Sequence, residues 1–281
     1  MNTRKTRIGL LILLLAKSVL AENAEIARDD LVAHEWGTLT AVLGSDGNEV
    51  PWWTPKLEGP ASLPEFVHMQ PRFTKSGGPL LLRMETPVIY FYADHAARLK
   101  VSVDDSRLNV TEVYPRIAIM RPFASLGFPL RGITWDVEIR PPSDQIGRSI
   151  VPVGKRGTHY RHAREVPDAW WVVQGVEKAA SEAEKFIFYR GAGAITMPKR
   201  ISGVRDKQVQ IMGHPQKVFL VEVGERGLSW KVTNGPEATG AEKPTSVSYP
   251  SADPSASRSE DDLAAALVAA LSLAGLTVDE A

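Results

Sequence analysis

Between Asp30 and Thr233 the hydrophobic pattern is mostly that of strands. Leu99, Val101 and Val103 alternate with Lys100, Ser102 and Asp104, the period of two that a half-buried strand requires. Ile133, Trp135, Val137 and Ile139 alternate in the same way with Thr134, Asp136 and Glu138. Val88 to Tyr92 is a continuous apolar and aromatic run after Pro87, which suits a strand covered on both faces, and Phe186 to Tyr189 is another. Val218 to Val223 and Leu228 to Val232 flank Gly224-Glu225-Arg226-Gly227 and predict a hairpin. Turn sequences such as Ser45-Asp46-Gly47-Asn48 and Ser76-Gly77-Gly78-Pro79 separate the runs. Many short strands with regular turns predict a mainly β protein whose body is a β-sandwich or jelly roll. Glu177 to Lys185 has helix-forming composition and is expected as a short helix between strands.

The ends of the chain differ from this body. Arg4, Lys5 and Arg7 precede the short apolar run Ile8 to Leu15, and Val19-Leu20-Ala21 offers a small-residue cleavage site. Residues 1–21 therefore read as a secretory signal peptide, and the run is too short to span a bilayer, which needs roughly 20 apolar residues. The alternative is an uncleaved anchor. Residues 22–234 form the β-rich domain, and 235–259, rich in Pro, Ser, Ala and Gly, read as a flexible linker. A helix follows: Ser259 and Asp262 make a capping-box pattern, Leu263, Leu267 and Leu271 lie on one stripe, and Gly275 is placed to stop it. Thr277 and Glu280 form a second capping box one residue before the end, so residues 260–281 are expected to be the start of a truncated helical segment.

Composition narrows the function classes. With 33 basic and 33 acidic residues the whole chain is formally neutral. Removing residues 1–21 takes away four basic residues and no acid, leaving 29 against 33, or −4. Such a balance argues against a general nucleic-acid binder. No cysteine is present, which removes disulfides, thiol nucleophiles and thiolate metal sites. The expected setting is periplasmic or extracellular, with no stable membrane span after cleavage.

Several stretches carry a family resemblance: Ala33-His34-Glu35-Trp36-Gly37-Thr38, Arg83 to Tyr92, Thr111-Glu112-Val113-Tyr114-Pro115, Glu184 to Gly191, and the terminal Leu276-Thr277-Val278-Asp279-Glu280-Ala281. Together they resemble an uncharacterised family of exported bacterial proteins. The resemblance implies export and, since its members continue further, truncation at the C-terminal side. It implies no activity. The chain departs from the family at Val113, where a tryptophan is expected, and at His162, where a smaller residue is expected.

The familiar catalytic motifs are missing: no Gly-x-Ser-x-Gly, no phosphate-binding glycine loop and no His-Glu-x-x-His. His34-Glu35 begins like the last, but on a strand these neighbours point to opposite faces. His159, His162 and Glu165 have the spacing that would lie along one side of a helix and suit a divalent metal, although the surrounding Arg-rich sequence also reads as a solvated basic turn. Glu35, Glu85 and Glu112 are candidate acid–base carboxylates, as glycoside hydrolysis requires in pairs. They would alternatively pair with Arg83, Arg116 or Arg190. Trp52 and Trp53, between Pro51 and Pro55, are candidates for stacking on sugar rings, and Trp170-Trp171 is a similar pair of which one member is expected in the core. The sequence thus predicts an exported β-rich binding or structural module contacting polysaccharide or an envelope protein. The alternative is a hydrolase of an extracellular polymer built on His34, Glu35 and the His159 region.

Overall fold

The computed structural model describes residues 31–40, 64, 66–69, 82–103, 108–116, 119–120, 133–152, 159–175, 181–193, 201–205, 208–211, 215–224, 227–235, 245–248 and 259–281. Residues 1–21, expected to be a signal peptide, and Trp52-Trp53 lie outside them. In chain order the elements are β1 (Leu31–Thr40), β2 (His68–Met69), β3 (Leu82–Ala93), β4 (Ala97–Val103), β5 (Leu108–Tyr114), β6 (Ile119–Met120) and β7 (Ile133–Arg140). Helix α1 (Gln145–Ile150) and a 3-10 helix (His159–Arg164) follow. Then come β8 (Trp171–Gln174), β9 (Glu182–Glu184), β10 (Ile187–Gly193), β11 (Ile201–Arg205), β12 (Gln208–Ile211), β13 (Lys217–Gly224), β14 (Gly227–Asn234), β15 (Thr245–Ser248) and α2 (Glu260–Leu273). The protein is mainly β with a C-terminal helix, as the alternation predicts.

Among the described residues, 31–38 and 64–193 fall in one compact unit, and 39–40 and 201–281 in another. The first unit is a sandwich of two sheets. The central sheet has the order β1-β3-β10-β5-β2, and the second has β4-β7-β8-β9 with β6 also on β7. Every register described is antiparallel. Between the sheets lies the main core: Ile89, Phe91, Val113, Ile187 and Tyr189 from one, Leu99, Trp135, Val137, Ile139 and Val172 from the other. The outer polar positions of β4 and β7 meet across the ladder. Arg98 is opposite Glu138 and bonds Asp136 at 2.8 Å, while Ser102 bonds Thr134 at 2.9 Å.

The central sheet is buried on its other face too. Val88, Tyr90, Tyr114, Phe186 and Phe188 pack there with Val67, Tyr160, Val166 and Ala169. Tyr90 donates its hydroxyl to the Ala163 carbonyl at 2.6 Å, tying the 3-10 helix to β3. Two-sided cover explains why β3 and β10 read as unbroken apolar runs, the pattern of a central strand rather than an exposed one.

Glu177 to Lys185 corrects the sequence reading. Its last part, Glu182–Glu184, is a strand paired with β8, and residues 176–180 lie outside the described residues. Helix propensity, worth only tenths of a kcal/mol per residue, is overridden because Ala183 and Glu184 are fully buried by tertiary partners. After Glu184 the chain passes through Lys185 and Phe186 into β10, so two residues carry it from the second sheet into the middle of the first.

The second unit has a three-stranded sheet β11-β12-β15 and the hairpin β13-β14, with Val209, Ile211, Val218 and Leu220 as its core. Gly224 pairs with Gly227, so Glu225-Arg226 alone connect the hairpin. Thr245–Ser248 falls within the expected linker 235–259 but adds to β12, with Val247 opposite Val209. A β-branched, small-residue run can supply a ladder even in a Pro- and Ser-rich setting. Helix α2 starts on the expected capping box, Ser259 Oγ accepting from the Asp262 N–H and Asp262 accepting from the Ser259 N–H. It ends on Gly275 at φ 111°, with Leu276 N–H on Leu271 and Gly275 N–H on Ser272. Leu263, Leu267 and Leu271 are half-buried, and no residue of α2 is fully buried. The Thr277–Glu280 box also forms, with bonds of 2.8 and 3.3 Å. No described helix is long and apolar enough to cross a membrane.

Helix α1 shows how tightly the first unit is packed. Asp144 caps it by accepting from Gly147 N–H at 3.1 Å, and a Cβ on Gly147 would stand 2.4 Å from Cγ of the buried Trp171. Gly147→Ala is therefore expected to lower stability by about 1–3 kcal/mol through overpacking, read as a fall in the denaturant midpoint with little change in slope.

Candidate functional site

The polar residues of the first unit gather where β9 passes into β10. Glu182 and Glu184, two apart on one strand, stand on the same side of it. Glu184 is fully buried. The Arg164 guanidinium grips it from the 3-10 helix, with Nε at 3.0 Å from both carboxylate oxygens and Nη2 at 2.6 Å from Oε2. The Tyr160 hydroxyl donates to Oε2 at 3.2 Å and the Lys185 N–H to Oε1 at 3.0 Å. Arg164 spends its remaining nitrogen on the Pro152 carbonyl at 2.8 Å and lies over the rings of Phe66 and Tyr160. Burial pushes the Glu184 carboxyl up, opposed by the bonds from Arg164, Lys185 and Tyr160. Burial, reinforced by Glu184, likewise pushes the Tyr160 hydroxyl well up. Both oxygens of Glu184 are saturated with protein donors, the arrangement of a structural carboxylate.

Glu182 is more open. It accepts from His68 Nε2 at 2.6 Å and from the Arg116 N–H at 2.7 Å. The His68 ring stacks on Tyr114, with centroids 5.9 Å apart and planes at 25°. Burial, with Glu182 and Glu184 nearby, pushes the Tyr114 hydroxyl up.

Lys185 points elsewhere. Its Nζ donates to the Ala169 carbonyl at 2.7 Å and the Pro167 carbonyl at 3.1 Å, and lies 4.6 Å from the centre of the Trp171 ring. Burial and the positive charge of Arg148 push its pKa down to about 8, partly offset by Asp168 and Glu184.

The sequence candidates are distributed differently. Glu35 receives the Tyr189 hydroxyl and so faces the main core. His34 packs on Tyr92 at 5.3 Å, on the opposite face. The two do not converge, as expected for strand neighbours, and the central sheet separates Glu35 from the 3-10 helix, which Glu165 follows. Glu112 is buried on β5 directly opposite the buried Arg190 on β10, the register of a cross-strand pair of opposite charge. Glu85 lies on β3 and His159 opens the 3-10 helix, but their side chains are outside the described residues. His162 and Glu165 meet each other at 3.4 Å, with side chains 79% and 56% exposed. Among the described residues no three His, Asp or Glu side chains are arranged to hold a metal ion. Trp170 and Trp171 are both buried, so the core takes both members of the pair of which one was expected there.

Sequence reasoning missed His68, Tyr160, Arg164, Glu182 and Glu184 as a group. The available signal was Glu182-Ala183-Glu184 running directly into Phe186-Ile187-Phe188, a period-two pattern that places both carboxylates on one side. Comparison with protein-family models, with curated proteins and with solved structures found no match to this chain.

Two outcomes are expected. Arg164→Met leaves Glu184 buried without its cation and should cost about 3–5 kcal/mol. Adding Glu184→Gln should recover part of that loss in a double-mutant cycle read by denaturant unfolding. For Lys185, an unfolded lysine keeps its proton to about pH 10.5 while the folded one releases it from about 8. Between those values the unfolded state holds more protons, so this residue makes stability rise with pH. Tyr114 and Tyr160 act in the opposite sense above 10. Lys185→Met should therefore flatten the pH-stability curve between pH 8 and 10, measured as the difference from the parent chain.

Proposed function

We propose that this chain is an exported binding or structural module of the cell envelope or secretome, working on polysaccharide or an envelope protein in the periplasm or outside the cell. The observation that carries this reading is the use made of the polar side chains. Glu184, Arg164, Tyr160 and Lys185 are spent on protein partners that hold one strand, one 3-10 helix and one loop together. That is the economy of a scaffold. Supporting it from the sequence are the basic and apolar pattern of residues 1–21 and the resemblance to exported bacterial proteins. The hydrolase alternative needs His34 or Glu35 beside His159 or Glu165; Glu35 lies across the central sheet from the 3-10 helix, whereas His34 is on the face that packs against it. Contact with a polymer falls to Trp52 and Trp53.

Expression of the whole chain in a bacterial host tests export. The intact mass should correspond to a protein beginning at Glu22 in the periplasmic or culture fraction. A chain retained in the cytoplasm with Met1 in place overturns the reading. Co-sedimentation with insoluble cell-wall polysaccharide tests binding. The double substitution Trp52→Ala and Trp53→Ala should weaken retention by about tenfold or more, as loss of aromatic anchors does, without changing the unfolding midpoint.

A further inference from the structure

We infer that His68 and Glu182 form a proton-controlled clasp that fastens the edge of the central sheet to the edge of the second sheet. The topology sets the need for it. β2 is the outermost strand of the central sheet and has two residues, with His68 opposite Val113 and Met69 opposite Glu112. So short a strand gains little from its ladder. β9, which carries Glu182, is the outermost strand of the other sheet. The bond from His68 Nε2 to Glu182 Oε1, at 2.6 Å, therefore joins two edges that share no backbone pairing. The other carboxylate oxygen accepts the Arg116 N–H at 2.7 Å, which ties the residues just after β5 to the same point.

The chemistry of the pair makes it responsive to protons. Glu182 takes the Nε2–H of His68, which leaves Nδ1 as the basic nitrogen of the neutral ring. A proton taken up from solvent at Nδ1 breaks no existing bond. It turns a neutral hydrogen bond into a charge-assisted one, about twice as strong. The His68 side chain is 24% exposed and Glu182 18%, so solvent reaches the pair without fully screening it. The groups facing the imidazole are Glu182 from β9 and the Tyr114 ring from β5, with Glu184 and Arg164 compensating each other behind Tyr114. Tyr114 stays protonated, because its hydroxyl is pushed up by burial and by the two glutamates. Among the described residues, the added charge on His68 thus meets one facing anion, Glu182. The clasp tightens as the imidazole takes up its proton.

Hydrogen exchange of the backbone amides of residues 67–69, corrected for intrinsic rates, tests the clasp in the full chain. Protection should rise by about fivefold to tenfold between about pH 8 and about pH 5.5. In His68→Gln, which keeps a donor but does not titrate, protection should change by less than about twofold over the same range. Unchanged protection in the parent chain overturns the proposal, and so does an undiminished pH response in His68→Gln. The parent chain also supplies a readout that needs no variant. The Arg116 amide resonance, whose proton sits on the other oxygen of Glu182, should titrate with the same midpoint as the His68 ring, and a different midpoint overturns the clasp. This outcome is independent of whether the chain is exported or binds a polymer.

Discussion

The passage from Glu184 to Phe186 is the constraint on which the first unit rests. Within two residues the chain leaves an edge strand of one sheet and becomes the central strand of the other. Sandwich corners of this kind demand that inter-strand hydrogen bonds end on one side and begin on the other with little slack. A carboxylate placed at the corner, with its oxygens taken by Arg164, Tyr160 and the next backbone N–H, fixes the exit direction of β9. The 3-10 helix that supplies Arg164 and Tyr160 is in turn held to β3 through Tyr90. One buried charge therefore coordinates three elements that are distant in sequence. Buried ion pairs contribute little net stability compared with an apolar replacement, so the gain here is in defining one arrangement of the corner.

Lys185, the neighbour of Glu184, shows the opposite solution to the same problem. Its side chain leaves the corner on the other side and finds carbonyl oxygens and an indole face in place of a bonded carboxylate. Dipoles and a ring quadrupole stabilise an ammonium less than a paired anion does, and a nearby Arg148 works against it. So the anion is locked by a full cation, while the cation rests on partial charges and gives up its proton more easily. Adjacent residues thereby acquire different sensitivities to pH from one local geometry.

Much of the architecture was legible from side-chain period. The alternation in β4 and β7 follows directly from one face lying on the main core and the other on solvent. The unbroken runs in β3 and β10 follow from cover on both faces. The hairpin β13–β14, both capping boxes and Gly275 were legible because their signals are local, involving residues two to four apart. β9 was not, because Glu182–Glu184 has helical composition and owes its conformation to its pairing with β8 and to Arg164, contacts that local composition does not register. β15 was hidden in the same way: its four residues become a strand only because β12 offers an edge. The site suffered the same limitation. His68, Arg164 and Glu184 carry no motif, since their meeting is a product of sheet order and not of spacing.

The absence of cysteine gives this arrangement its significance. Without a covalent staple, the two sheets are joined by their shared apolar core and by what fastens their edges. The core is non-directional: it holds the layers together but does not prevent an edge from opening. Directional bonds between edges supply that resistance, and they are placed where the ladder is shortest, at β2 and β9. Glu184 is sealed by a permanently charged guanidinium and holds the corner at any pH that keeps the carboxylate ionised. Glu182, one pleat further along the same strand, is held by an imidazole and a backbone N–H and so has a partner whose charge varies. The same strand thus carries a fixed fastening on its buried side of the corner and an adjustable one toward solvent, a difference set by the choice of arginine at 164 and histidine at 68.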